Sequence, residues 1–269
     1  MKRLLSVVMA AVALSAAGAA QAGAFADTIT DAYWGADGHG RGDVIGNTST
    51  YDINSAKITR VNDVLTITIN TAFAGKAGSD SWAYRENYVA KGIGYGDVFL
   101  ADTWNPVGTV GNHYTADNAS NSTIWDYGFS LANRWSNTGG SFTLYKLNGA
   151  TNAANIKNSE SYINCTNGCT YRNGQEVAVK TANNAANVTN TGLTGNWTVS
   201  AGQSLQFTIN VAGTDLATFS SLAMHWGETC QNDVIEGMVR LTPAPGTVPL
   251  LALGLAGLVW MRRRRQAQA

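Results

Sequence analysis

Residues 64–70 read VLTITIN and residues 204–211 read SLQFTINV, and these two stretches decide the fold class. In the first stretch Leu65, Ile67 and Ile69 alternate with polar residues, so the three apolar side chains face one side of an extended strand. The second stretch repeats the alternation, as do residues 142–147 and 176–180. A period of two predicts half-buried β-strands and excludes amphipathic helices at these places.

Further strands are predicted from short apolar runs bounded by turn residues, at 93–101, 123–131, 222–226 and 234–241. Asn-Gly pairs at 148–149 and 173–174 are typical of tight turns between such strands. Residues 181–194 are rich in Asn, Ala and Thr, which predicts a long loop. We therefore expect an all-β fold, a single antiparallel β-sandwich of the jelly-roll kind, over residues 23–242.

The N-terminus has the layout of a secretory signal peptide. Lys2 and Arg3 form the basic region, residues 4–20 are apolar and Ala-rich, and residues 20–22 read AQA, a cleavage pattern for signal peptidase. The prediction is a removed signal peptide at residues 1–22; the alternative is an N-terminal membrane anchor.

The C-terminus carries a second three-part signal at residues 243–269. Its parts are a Pro-x-Pro-Gly-Thr stretch, an apolar segment at 248–261 and a basic cluster, with the individual positions Pro243, Ala244, Pro245, Gly246, Thr247, Arg262, Arg263, Arg264 and Arg265. Fourteen helical residues rise about 21 Å, short of the roughly 30 Å hydrocarbon core. We expect a transmembrane helix that anchors only transiently in the inner membrane, with the arginines on the cytoplasmic side. The alternative is a permanent anchor.

This tail resembles the PEP-CTERM sorting signal of Gram-negative bacteria. The resemblance implies processing by an exosortase, a place at the cell surface or outside the cell, and association with exopolysaccharide and biofilm matrix. The chain departs from the family's pattern at Ala244, where the family name implies Glu. Residues 42–46, 51–53, 92–100, 225–226 and 232–237 also resemble an uncharacterised group of secreted PEP-CTERM proteins. More generally, the acidic Gly-rich opening followed by Tyr-Asp-Ile is similar to carbohydrate-binding-like and DOMON-like sandwiches.

Charge is unevenly distributed along the chain. The 18 basic and 18 acidic residues give a net charge of zero, but six of the basic residues lie at the two ends. Residues 23–242 therefore hold 12 basic and 18 acidic residues, a net charge of −6. An acidic domain argues against a nucleic-acid partner, which selects a basic surface.

Three cysteines follow the signal peptide. Cys165 and Cys169 flank a short turn and are predicted to form a disulfide, whose small loop limits its contribution to roughly 1–3 kcal/mol. Cys230 is then an odd thiol, either buried or available to a partner.

Two sets of residues are candidate ligand sites. Asp37 and Asp43 in a Gly-rich opening segment, with Asp233 and Glu236 near the end, offer oxygen ligands that suit Ca²⁺; the alternative is that such residues form Asx-turns. Trp104, Trp125 and Trp135 are candidates for a glycan platform, because sugars stack on exposed aromatic rings; the alternative is that they fill the core.

No catalytic constellation is present: the sequence contains no Gly-x-Ser-x-Gly elbow, and its Gly-rich stretch at 92–96 lacks the Lys of a phosphate loop. We expect a non-enzymatic, exported surface or matrix protein. The alternatives are a secreted glycan-active hydrolase using paired acids such as Asp233 and Glu236, and a Ca²⁺-stabilised adhesin.

Overall fold

The computed structural model of the chain describes residues 25–36, 42–79, 91–108, 113–163, 171–182 and 186–240. Its described residues from Ala26 onward belong to one compact unit, Ala26–Leu241. The predicted signal peptide at 1–22, the sorting signal at 243–269 and its apolar segment at 248–261 lie outside the described residues. In the described ranges, none of the helices has the length and apolar character needed to cross a bilayer.

Strands are the main regular secondary structure among the described residues. The two short α-helices are α1 (Thr48–Tyr51) and α2 (Asn152–Asn155), and two 3₁₀ turns lie at Ser159–Ser161 and Asp215–Ala217. The strands are β1 (Phe25–Thr30), β2 (Ile53–Val61), β3 (Val64–Thr71), β4 (Val98–Ala101), β5 (Tyr127–Leu131), β6 (Gly139–Leu147), β7 (Ile156–Asn158), β8 (Glu176–Val179), β9 (Val188–Ser200), β10 (Ser204–Asn210), β11 (Ser221–Gly227) and β12 (Val234–Arg240).

Ten of these strands form one hydrogen-bonded sheet in the order β1-β2-β3-β10-β9-β6-β5-β4-β11-β12, and β7 pairs with β8. The pairings are antiparallel, for example Phe207 of β10 opposite Ile67 of β3 and Trp197 of β9. The prediction of an all-β antiparallel fold is therefore confirmed. The alternation read from residues 64–70 places Leu65, Ile67 and Ile69 in the core.

The sheet curls until its two edges approach each other. β12, at one edge, contacts β2, which is next to the opposite edge strand. Gly237 of β12 permits this approach, because a Cβ at that position would lie 2.7 Å from Cγ2 of Ile29 in β1.

A chain of aromatic rings fills the interior of the curl. Tyr95 packs edge-on against Trp197 at 5.3 Å between ring centroids, Trp197 stacks on Phe207 at 6.0 Å, and Phe129 stacks on Phe142 at 4.5 Å. Each of these five rings is at most 2 % exposed. Such contacts add to the free energy already gained by burying the rings.

The prediction of a loop at residues 181–194 is wrong for its second half, because β9 begins at Val188. This half of β9 shows no apolar alternation, since Thr189 and Asn190 are both exposed. Its pairing with β6 also shifts register between Thr143 and Tyr145. A strand that is irregular and open to solvent leaves no period-two signal in its sequence.

Candidate functional site

Three aspartates converge where the two edges of the sheet approach each other. Asp31 directly follows β1, Asp43 precedes α1, and Asp233 directly precedes β12. One carboxylate oxygen from each of the three lies within 4.8 Å of the other two, a separation that suits joint coordination of a metal ion. We call Asp31, Asp43 and Asp233 the aspartate cluster.

Within the described residues, two carboxylate oxygens of the aspartate cluster accept no hydrogen bond and are available to a metal ion. Asp233 is fully buried; its Oδ2 accepts from the Ile53 amide at 2.6 Å and its Oδ1 from the Val234 amide at 2.8 Å. Oδ1 of Asp31 and Oδ1 of Asp43 are buried, and neither accepts a hydrogen bond in the described part of the chain. Buried carboxylate oxygens without donors are costly unless a cation or a proton compensates them.

Electrostatics favours a compensating cation at this place. Burial raises the pKa of Asp31 to about 7, and the charges of Asp43 and Asp52 add to the effect. Burial likewise raises the pKa of Asp43, and it raises the pKa of Asp233 well above its usual value, with Asp31 and Glu228 contributing. Like charges held together out of water destabilise each other, and a bound divalent ion reverses that effect.

Arg172 holds the segments around the aspartate cluster. Its side chain is fully buried, and its Nε donates to the Gln231 carbonyl at 3.1 Å. Its Nη1 donates to the Gly35 carbonyl at 3.2 Å, and its Nη2 donates to the carbonyls of Gly42 and Asp43. The guanidinium thus joins the segment after β1, the segment before α1 and the turn before β12, the three segments that carry the aspartates. Its charge also lowers the pKa of Asp43, against the larger effect of burial.

The structure brings together two of the four predicted Ca²⁺ ligands, Asp43 and Asp233. Asp37 lies outside the described residues. Asp31, at the start of the same Gly-rich segment, takes part as well, although only Asp37 and Asp43 of that segment were singled out as ligands. Glu236 is not part of this cluster, because its carboxylate pairs with His225.

Glu236 belongs to a second buried polar cluster. His225 of β11 and Glu236 of β12 are directly opposite in the sheet, with 2.9 Å between Nδ1 and Oε2. The other ring nitrogen of His225 lies 3.9 Å from a carboxylate oxygen of Glu176 in β8. Burial lowers the pKa of His225, but the charge of Glu176 and the hydrogen bond to Glu236 outweigh it, so the pKa is raised above 6.5. The suggested acid pair Asp233 and Glu236 is therefore divided between two clusters.

Asp117 and Tyr33 extend this second cluster. The Tyr33 hydroxyl donates to Oδ2 of Asp117 at 2.6 Å, and both side chains are buried. Burial raises the pKa of Asp117 to about 7, and the charge of Glu236 is the next contribution. This hydrogen bond ties the segment between β4 and β5 to the segment after β1.

The three candidate platform tryptophans lie in different environments. Trp125 is fully buried, and its Nε1 donates to Glu176 at 3.0 Å. The prediction that it belongs to a glycan platform is therefore wrong, and Trp125 is a core residue. Trp104 is half-buried, and its Nε1 donates to Glu236 at 2.7 Å. Trp135 is also half-buried, with the Lys91 ammonium 4.7 Å from its ring centroid. The structure does not assemble the three rings into one surface. Hydrogen bonds fix the two half-buried rings in place, because Trp135 Nε1 also donates, to the Gly92 carbonyl at 2.9 Å.

The predicted disulfide partners, Cys165 and Cys169, lie outside the described residues. Cys230 is buried, 2 % exposed, in the turn between β11 and β12. Of the two possibilities for Cys230, burial or availability to a partner, the structure shows burial.

The aspartate cluster is the candidate site that best combines convergent ligand atoms, burial and unpaired oxygens. No protein-family model matches the chain, and no curated protein and no solved structure matches it either. Function therefore has to be inferred from the residues themselves.

Proposed function

We propose that this protein is an exported, non-enzymatic surface or matrix protein whose β-domain is stabilised by Ca²⁺ outside the cell. The observation that carries this proposal is the aspartate cluster, in which Asp31 and Asp43 each keep a buried oxygen without a hydrogen bond. Carboxylates on loops are the ligands that Ca²⁺ prefers, and extracellular modules bind it with dissociation constants of about 10⁻⁴–10⁻³ M.

The two chain ends support export and sorting. A signal peptide at residues 1–22 would direct the chain out of the cytoplasm. The PEP-CTERM-like tail at 243–269 would hold the precursor in the inner membrane until an exosortase cleaves near Pro243–Thr247. The product would then be released or attached at the cell surface, in contact with exopolysaccharide.

We also propose that the curled sheet is a sandwich of the jelly-roll or carbohydrate-binding-like kind. Phe129 of β5 and Phe207 of β10 support this, because their ring centroids are 6.4 Å apart although β6 and β9 separate the two strands in the sheet. In a sandwich, two portions of the sheet would pack face to face and bring such rings together.

Calcium is expected to stabilise the folded domain through the aspartate cluster. At 10 mM Ca²⁺ and a dissociation constant of about 0.1 mM, the free energy of unfolding rises by about 2.7 kcal/mol. Thermal melting with Ca²⁺ and with EDTA measures this shift. In Asp43→Asn the Ca²⁺-dependent melting shift should fall to a small fraction of that in the unsubstituted protein. The control is Asp63→Asn, which changes an exposed aspartate in the β2–β3 turn and should retain the shift in full. An equal shift in both variants would contradict the assignment.

The calcium effect should also depend on pH. Without Ca²⁺, folded Asp31 has a pKa of about 7 against 3.8 when unfolded, so the folded state binds more protons between these values. Stability then falls as pH rises from about 4 to 7. Ca²⁺ competes with the proton, so its stabilising effect should be larger at pH 8 than at pH 5. Melting curves at both pH values measure the difference.

Removing residues 243–269 is expected to abolish surface localisation and leave a soluble periplasmic protein. The matched control removes only Gln266–Ala269, which lie beyond the arginine cluster, and should be processed and localised normally. Fractionation followed by immunoblotting reports both the cleavage and the location. Unchanged surface display of the longer deletion would overturn the sorting proposal.

A further inference from the structure

One outer face of the sheet is a regular array of hydroxyl and amide side chains. It is formed by the outward residues of four adjacent strands, β2, β3, β10 and β9, in three rows fixed by the strand register. The first row is Thr59, Thr66, Thr208 and Asn196. The second row is Lys57, Thr68, Gln206 and Thr198. The third row is Ser55, Asn70, Ser204 and Ser200. We call these twelve residues the hydroxyl face.

Every side chain of the hydroxyl face is exposed or half-buried, while the residues between them point into the core. Neighbouring strands lie about 4.8 Å apart, and equivalent residues along a strand recur about every 6.8 Å. Some neighbours already interact: Asn70 donates to the Ser55 hydroxyl at 2.8 Å, and Gln206 donates to the Thr68 hydroxyl at 3.3 Å. The result is a periodic surface whose groups can both donate and accept hydrogen bonds.

Charge selects among the possible occupants of this face. Lys57 is its one ionisable residue, so the face lacks the basic groups that an anionic polymer or a membrane surface requires. The predicted mature domain is itself acidic, with a net charge of −6 over residues 23–242, and repels polyanions. A neutral partner incurs no such repulsion.

Apolar contacts are available at one end of the same face. Among the described residues four large hydrophobic side chains are exposed, and two of them, Val61 and Val64, are paired where β2 turns into β3. A pyranose ring presents hydroxyls at its rim and C–H groups on its faces, so it can use both kinds of contact.

We propose that the hydroxyl face binds an extended neutral polysaccharide, whose regularly spaced hydroxyls meet equivalent groups in each row. This inference rests on the proposed function, since an exported matrix protein is the setting in which such a polymer is met. The face is separate from the aspartate cluster, so the two assignments can fail independently.

The experiment uses the full chain and the exopolysaccharide matrix of the producing bacterium, separated by anion exchange into neutral and anionic fractions. Co-sedimentation measures how much protein each fraction retains. The test variant Thr66→Val/Thr198→Val/Thr208→Val removes three hydroxyls while keeping branched side chains that suit a strand. Its affinity for the neutral fraction should fall about 10- to 100-fold, as expected for the loss of three hydrogen bonds.

The matched control, Thr103→Val/Thr115→Val/Thr218→Val, changes three exposed threonines outside the face and should bind as the unsubstituted protein does. A cooperative thermal melting transition in both triple variants reports that they are folded. Equal retention of the two variants, retention by the anionic fraction alone, or no retention by either fraction would overturn the inference. A normal calcium shift and normal tail processing in the same preparation would leave the proposed function standing.

Discussion

Replacing Arg172 by Met is expected to lower the free energy of unfolding by about 3–5 kcal/mol. The buried guanidinium donates to four backbone carbonyls, those of Gly35, Gly42, Asp43 and Gln231. Methionine fills a similar volume but leaves these acceptors without their charged donor. The loss is a large fraction of the 5–15 kcal/mol that stabilises a typical domain. Chemical denaturation of the full chain, monitored by tryptophan fluorescence, measures it.

Two further variants separate the role of Arg172 from a general effect of charge. Arg172→Lys keeps the charge but cannot reproduce the planar fork, so most of the loss should remain. Arg240→Met removes an exposed arginine at the end of β12 and should change stability by no more than about 0.5 kcal/mol. A stability for Arg172→Met that matches Arg240→Met would show that the four carbonyl contacts do not stabilise the fold.

Replacing Asp97 by Asn is expected to cost a similar 3–5 kcal/mol, because it breaks a buried ion pair and leaves the charge of Arg134 uncompensated. Oδ1 of Asp97 lies 3.0 Å from Nη2 of Arg134, and both side chains are buried. The same carboxylate accepts from the Leu131 amide at 3.1 Å and from the Val179 amide at 2.9 Å. It therefore fastens β5 and β8 to the segment before β4.

A double-mutant cycle with Arg134→Met tests the Asp97 prediction. If the pair acts as a unit, the double variant should be clearly more stable than the sum of the single losses implies. Urea unfolding of the four proteins gives the coupling free energy. Strict additivity, or an Asp97→Asn variant as stable as the parent, would refute the prediction.

The parts of the fold that could be predicted are those in which burial imposes alternation. β3 and β10 are covered on one face by the core and open on the other, so Leu65, Ile67 and Phe207 mark them in the sequence. The first half of β9 could not be predicted, because its exposed Thr and Asn residues are also the residues of loops. The joining of ten strands in one sheet depends on pairings between distant segments, such as β3 with β10, which no local pattern encodes.

The sequence predicted only part of the candidate site, because the site too depends on contacts between distant segments. Asp43 and Asp233 stand out as acids in Gly- and Asn-rich segments, but their meeting depends on how the sheet curls. Arg172 has no distinguishing sequence context, because its guanidinium donates to carbonyls of residues far along the chain. The pair His225 and Glu236 did leave a signal: two predicted strands joined by a short turn place these residues opposite each other.

The position of the aspartate cluster has a mechanical consequence. Asp31 follows β1 and Asp233 precedes β12, and these are the two edge strands of the sheet. For a domain tethered through its C-terminus, tension from flowing liquid would load β12 first and would peel it from β11 one hydrogen bond at a time. A cation bound by both Asp31 and Asp233 would link β1 to β12 and so resist their separation. The extracellular Ca²⁺ concentration would then determine the force that a tethered molecule withstands before it unfolds.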